Sequence, residues 1–271
     1  MSAIATRYTL LWGAAITGLA ILGVYTYLAD LQLERTEFIT GYSLFALMIT
    51  LALFNARKKL AMVPLIRSAY WLALHVVGGA AAVILFFIHT GSIWPGGGYE
   101  QALAVVFYLV SISGIVGYAI QRINPRRLVR TDLEIIYERI PAELAEIREK
   151  AEAEILACTE ETGSDTLARH YMETLVWFFR RPRFMLNNAF GGDAGEHWLR
   201  FQYRTVNRYL NDNERIYLDR INDLAKTKAK IDIHYACQSM MKGWLLIHLP
   251  LAAAVLGLMF WHVIVVNVYA L

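Results

Sequence analysis

The chain has 271 residues, 57% of them apolar and 18% charged, with a formal net charge of +3. A mean hydropathy of +0.39 is too high for an ordinary soluble domain of this length, and so small a positive balance gives no reason to expect nucleic acid as a partner. Cys158 and Cys237 stand alone, which excludes both a prosthetic group attached through C-x-x-C-H and a cluster held by grouped thiolates.

A membrane-spanning helix needs roughly 20 mostly apolar residues, each rising about 1.5 Å. Five stretches meet that length without an Asp, Glu, Lys or Arg: Tyr8 to Ala29, Phe38 to Ala56, Ser68 to Gly91, Gln101 to Gln121 and Gly243 to Leu271. The first is longer than a signal-peptide core, keeps its aromatic residues and shows no small-residue cleavage site before Asp30, so it is expected to be retained as an anchor. The predicted fold is an all-α membrane protein of about five transmembrane helices. Four fall within residues 1–121, a helical cytoplasmic module occupies 122–242, and the fifth span follows at 243–271.

Lys and Arg near helix ends stay on the cytoplasmic side. The loop with Arg57, Lys58, Lys59 and Arg67 is therefore expected inside, as is the segment with Arg122, Arg126, Arg127 and Arg130. The stretch from Thr90 to Glu100 has no Lys or Arg, and the first loop, with Asp30, Glu34 and Glu37, is mainly acidic. This pattern predicts a multi-pass protein of a bacterial inner membrane with its N-terminus in the cytoplasm and its C-terminus outside.

In the module, Leu144, Ile147, Ala151 and Ile155 recur at steps of three and four behind Pro141, the mark of an amphipathic helix, and Ser164-Asp165 suits the start of another. Trp177, Phe178 and Phe179 run directly into Arg180, Arg181 and Arg183. That order suits a membrane surface or an acidic partner, and equally a buried aromatic cluster beside a solvated charge run. From Asn213 to Gly243 no Pro or Gly intervenes, and Ile216, Leu224, Ile231 and Tyr235 fall near one face, so the last span is expected to begin well inside the cytoplasm. No G-x-G-x-x-G after a strand and no Walker loop is present.

A histidine inside a span is costly unless it has a partner, which makes it a functional candidate. There are four: His75 and His89 in the third span, His248 and His262 in the fifth, each pair in the spacing H-x13-H. Fourteen steps of about 100° return to within about 40° of the starting direction, and the rise is about 21 Å, so both members of a pair face one side at two depths. The depths also match between helices: His75 lies eight residues past Arg67, and His248 six past Lys242. One haem iron takes an axial nitrogen from each of two facing helices, which predicts two b-type haems, one held by His75 and His248 and the other by His89 and His262. Small residues follow each first histidine, Gly78, Gly79, Ala80, Ala81 and Ala82 on one helix and Ala252, Ala253, Ala254 and Gly257 on the other, as a macrocycle between helices would require. His170 and His197 read as ordinary residues of the module. His234 precedes His248 at the same H-x13-H spacing, but Lys226, Lys228, Lys230 and Asp232 around it read as a solvated helix surface, so it is not assigned as a ligand.

The double H-x13-H on two parallel spans resembles the transmembrane domains of ferric reductase-like proteins and NADPH oxidases, and the cytochrome b of quinol-oxidising complexes. The resemblance covers the third to fifth spans and carries over to His75, His89, His248 and His262 only. It implies two stacked haems b, and the use of two spans with one between them fits the ferric reductase-like arrangement. Two departures stand out: the helical module before the fifth span, and the lack of a flavin or NADPH domain after it. The quinone-site signature of the quinol-oxidising family is also missing.

The expected function is a transmembrane electron conduit. A docked cytoplasmic oxidoreductase of flavin or iron–sulfur type would exchange electrons with the haems, and an extracytoplasmic acceptor or a quinone would lie at the other end, with the module as docking platform. The alternative class is a membrane receptor or scaffold that signals through its juxtamembrane helices, its histidines binding a metal or only packing.

Overall fold

An apolar segment in lipid has no water to satisfy its amides, so each must bond within its own segment, and helices result. The computed structural model describes residues 3–56 and 68–269, and no strand is present among them. The helices are α1 (Ala3–Leu31), α2 (Thr36–Ala56), α3 (Ser68–Thr90), α4 (Gly98–Val129), α5 (Ile140–Thr162), α6 (Thr166–His170), α7 (Val176–Phe179), α8 (Met185–Phe190), α9 (Ala194–Val206) and α10 (Asp212–Tyr269). Five of them, α1 to α4 and α10, are long and apolar enough to cross a membrane. The charged loop with Arg57, Lys58, Lys59 and Arg67 lies outside the described residues.

Two helices outrun their apolar stretches. α4 continues past Gln121 and through Pro125 to Val129. α10 is one helix of 58 residues. Nothing between Asn213 and Gly243 can break it, and Pro250 does not end it.

The chain forms two compact units. The first, Met1–Tyr118 with Leu245–Leu271, is the apolar bundle, in which α3 packs on α1 and α2. Gly78 permits this, because a Cβ there would meet Leu51 at 2.9 Å. The core contains Met48, Ala82, Phe86, Phe107, Val255 and Met259, with Phe86 and Phe107 stacked at 4.3 Å. Outward-facing residues are also apolar, among them Leu10, Ile16, Ile115 and Ile264, a surface that lipid satisfies and water does not.

The second unit, Ala119–Trp244, has its own core. The α5 stripe of Leu144, Ile147, Ala151 and Ile155 is buried as its spacing predicts. Asp165 is the N-cap residue of α6, but its side chain pairs with Arg169 instead of capping, and the Ser164 hydroxyl accepts the Thr166 amide at 3.3 Å. Phe178 and Phe179 are buried and Trp177 is half-exposed, so this aromatic run builds a core. The Arg183 guanidinium covers the Trp177 ring at 4.1 Å.

Two expectations fail here. Ile216 is exposed, and Tyr217, Leu218 and Ile221 face the core in its place. The eight steps from Ile216 to Leu224 turn the helix about 80° past the shared face. The segment around Lys228 and Asp232 is not a solvated surface either, since both side chains are buried and paired at 2.6 Å. They sit one turn apart on the face that carries Ile221 and Ala225 inward. Lys226, on the opposite side, is exposed as expected.

Candidate functional site

Within the bundle, α3 and the final part of α10 bring the four histidines together in two pairs. The rings of His75 and His248 have centroids 6.4 Å apart, and those of His89 and His262 are 6.5 Å apart. Contact at both levels means that the two helices run parallel and in register from one pair to the other. The ring planes cross at 78° in the first pair and 82° in the second.

Each pair lines its own cavity. His75 and His248 border one of about 510 Å³, His89 and His262 one of about 420 Å³. Met48, Phe107 and Val255 line both and form an apolar partition between them. Gly79, Ala80, Ala82, Gly114 and Ala252 give the first cavity small walls. At the second, a Cβ on Gly41 would meet Cε1 of His89 at 2.9 Å, so only glycine lets α2 approach that ring so closely. The small-residue expectation holds only in part, because Ala253, Ala254 and Gly257 face outward and line neither cavity.

Further side chains hold the rings. The Thr40 hydroxyl lies 3.0 Å from Nδ1 of His89, and the Ser113 hydroxyl 2.7 Å from Nδ1 of His248. Nδ1 of His75 is buried near the Leu51 carbonyl without a well-formed hydrogen bond, and Phe54 lies 4.8 Å from the His75 ring. His262 stacks on Tyr99 at 6.1 Å and 13°, and the Tyr99 hydroxyl donates to the Leu258 carbonyl. Tyr42 donates to Asn267 at 2.7 Å at the edge of the second cavity. Reading histidines alone misses Thr40, Ser113 and Gly41. No signal in the sequence singles them out, because a hydroxyl next to a glycine inside an apolar stretch, as in Thr40-Gly41 and Ser113-Gly114, also occurs at Thr17-Gly18.

Two imidazoles bound to one iron at about 2 Å, with each ring centroid about 1.1 Å behind its nitrogen, have centroids roughly 6.2 Å apart. Both pairs fit that spacing. Among the described residues no group of three or more His, Cys, Asp or Glu side chains is placed to hold a bare metal ion. Two protein ligands with a cavity between them suit an iron whose other positions a macrocycle fills.

The remaining histidines are different. In the second unit His234 is buried, its Nε2 lies 2.8 Å from the Thr131 hydroxyl, and burial lowers its pKa. His197 is exposed and lies 3.0 Å from Asp193. His170 is partly buried, and desolvation lowers its pKa. No family model, curated protein or solved structure matches the chain.

Proposed function

We propose that this protein is a di-haem b-type cytochrome that carries electrons across a membrane. One observation carries the reading: two imidazole pairs, about four helical turns apart on the same two helices, each stand at the spacing of axial ligands beside a cavity. His75 with His248 would hold one haem, and His89 with His262 the other. When bound, the haem irons supply one-electron oxidation and reduction. The histidines would hold and orient the irons, and two histidine nitrogens at each would leave no position open to a substrate, which suits electron transfer. The partition of Met48, Phe107 and Val255 would separate the two sites by apolar side chains.

The donor and acceptor are separate molecules on this reading. A cytoplasmic flavin or iron–sulfur oxidoreductase would dock on the helical module, steered by the basic segments around Arg126 and Arg181. A quinone or an extracytoplasmic acceptor would serve the second site. The Lys/Arg pattern supports the orientation in which the module is cytoplasmic.

The test is the absorption spectrum and haem content of the purified chain. Two haems per chain, fully extracted by acid acetone and giving a reduced b-type spectrum, are expected. Colourless protein would overturn the assignment in favour of a receptor or scaffold, and a content of one would break the pairing.

A further inference from the structure

We propose that Thr40 and Ser113 are positioning residues: each hydroxyl fixes which nitrogen of its histidine carries the proton and how the ring is turned, and so tunes one haem site apiece. The inference rests on the di-haem reading above.

The argument is one of hydrogen counting. A hydroxyl has one proton to give. The Thr40 hydroxyl donates back to its own helix, to the carbonyls of Thr36 at 3.1 Å and Glu37 at 3.2 Å. With its one proton placed on its own helix, its oxygen accepts from Nδ1 of His89, 3.0 Å away, and that is the tautomer we assign. The Ser113 hydroxyl likewise donates to the Val110 carbonyl at 2.8 Å and faces Nδ1 of His248 at 2.7 Å. In both rings Nδ1 then carries the hydrogen. A neutral imidazole has a single N–H, so Nε2 keeps its lone pair for the iron.

The two cases are independent. Thr40 is on α2 and serves a histidine of α3; Ser113 is on α4 and serves a histidine of α10. Each site thus has one hydroxyl-anchored ligand, and its other ligand is held differently, His75 beside Phe54 and His262 against Tyr99. An accepting group behind Nδ1–H makes the imidazole a more basic ligand, which favours ferric over ferrous iron. It also fixes ring rotation, and the near-perpendicular planes, 78° and 82°, are what that rotation preserves. In low-spin ferric haem, crossed ligand planes give an electron paramagnetic resonance signal dominated by one large g value, and parallel planes give a more evenly spread signal.

The experiment compares the full-length protein with Thr40→Val and Ser113→Ala, and with Thr40→Ser and Ser113→Thr, which keep the hydroxyl. Redox titration and low-temperature resonance spectra are read on each. Thr40→Val should raise the midpoint of the haem that His89→Ala removes, and Ser113→Ala that of the haem removed by His248→Ala. The expected change is about five- to tenfold in the ferric–ferrous equilibrium, the upper end being about 59 mV for one electron. The large-g signal of the same haem should move, while the hydroxyl-retaining variants stay near wild type. Loss of the matching haem from Thr40→Val but not from Thr40→Ser would support the same role. Unchanged potentials and spectra in fully loaded Thr40→Val and Ser113→Ala would overturn the inference while leaving the di-haem reading intact. Equal shifts of both haems in either variant would also overturn it, as a sign of general loosening. Wild-type protein without haem would overturn both.

Discussion

His234 and His248 lie on one helix, both buried or half-buried and both beside a hydroxyl, yet their surroundings differ. The Thr131 hydroxyl lies 2.7 Å from the Leu128 carbonyl and 2.8 Å from Nε2 of His234, the arrangement that Ser113 makes with the Val110 carbonyl and, at the other ring nitrogen, with His248. What His248 adds is a second imidazole at 6.4 Å and a cavity of about 510 Å³ between helices. The second unit instead fills its interior, with Phe178, Ile221, Ile231 and the Lys228–Asp232 pair in contact. A hydroxyl behind a histidine therefore marks a positioned ring. The facing ring and the space between them are what distinguish a proposed ligand.

Replacing the histidines gives the largest contrast. His75→Ala and His248→Ala should each remove the same haem, His89→Ala and His262→Ala the other, and His234→Ala should leave both. Haem content and redox titration would read this directly. If the two variants of a pair perturb different transitions, the pairing is wrong; if His234→Ala removes a haem, the contrast with His248 collapses.

Breaking the ion pair comes next. The Lys228 ammonium is bound by Asp232 at 2.6 Å, by the Arg181 carbonyl at 3.0 Å and by the Phe178 ring face at 3.9 Å. Asp232→Asn would leave a buried cation without its anion, a change that costs about 3–5 kcal/mol, whereas Lys228→Met with Asp232→Leu should be near neutral or stabilising by about 1–4 kcal/mol. Hydrogen exchange across α5 and α10 in the detergent-solubilised chain would measure both. Haem content should not change, because the four proposed ligands all lie in the first unit. A double variant as unstable as Asp232→Asn would show that the pair contributes more than mutual neutralisation.

A smaller effect separates two glycines. Alanine at Gly41 would press on the His89 ring at 2.9 Å, and alanine at Gly114 would meet His248 at an ordinary 3.8 Å. Gly41→Ala should therefore cost about 1–3 kcal/mol in overpacking, partly offset by the better helix propensity of alanine, and should disturb the spectrum of the His89–His262 haem alone. Gly114→Ala should leave both haems unchanged. Equal effects of the two variants would mean that the close approach of α2 is not what Gly41 is for.

These contrasts separate what the sequence makes legible from what it hides. An H-x13-H spacing fixes direction and depth on a helix whatever surrounds it, so the His75, His89, His248 and His262 pattern could be read before any fold. Five uncharged stretches likewise announced five spans. The hydroxyls could not be read, because serine and threonine in apolar helices commonly bond back to their own carbonyls, as Thr50 and Ser43 do here with no ring beyond them in those bonds. Lys228 and Asp232 were misjudged because charge in a helical sequence suggests water; only the tertiary fold brings Phe178 and the Arg181 carbonyl over them. Ala253 and Ala254 were misjudged for the opposite reason, since smallness does not say which side of a helix meets a neighbour.

The gentlest probe of the same contrast is pH, which acts on the ion pair of the second unit. Burial pushes the Lys228 ammonium down to about 8 from its ordinary 10.5, and pushes the Asp232 carboxyl up to about 6 from 3.8; in each case desolvation outweighs the attraction of the partner. Between pH 8 and 10.5 the unfolded chain still holds a proton that folded Lys228 has released, so stability rises with pH across that window. Between 3.8 and 6 folded Asp232 holds a proton that the unfolded chain has lost, so stability falls as pH rises. The contribution of the pair is thus least favourable between about pH 6 and 8, where both groups are charged. The Arg183 guanidinium lowers both groups' proton affinity and its amide donates to Asp232 at 3.2 Å, but that arginine stays cationic throughout and does not change the sign. Thermal melting of the detergent-solubilised chain should therefore show a shallow minimum near neutrality that flattens in the Lys228→Met, Asp232→Leu double variant. Superimposable pH profiles for wild type and double variant would mean that the pair is not the origin of the dependence.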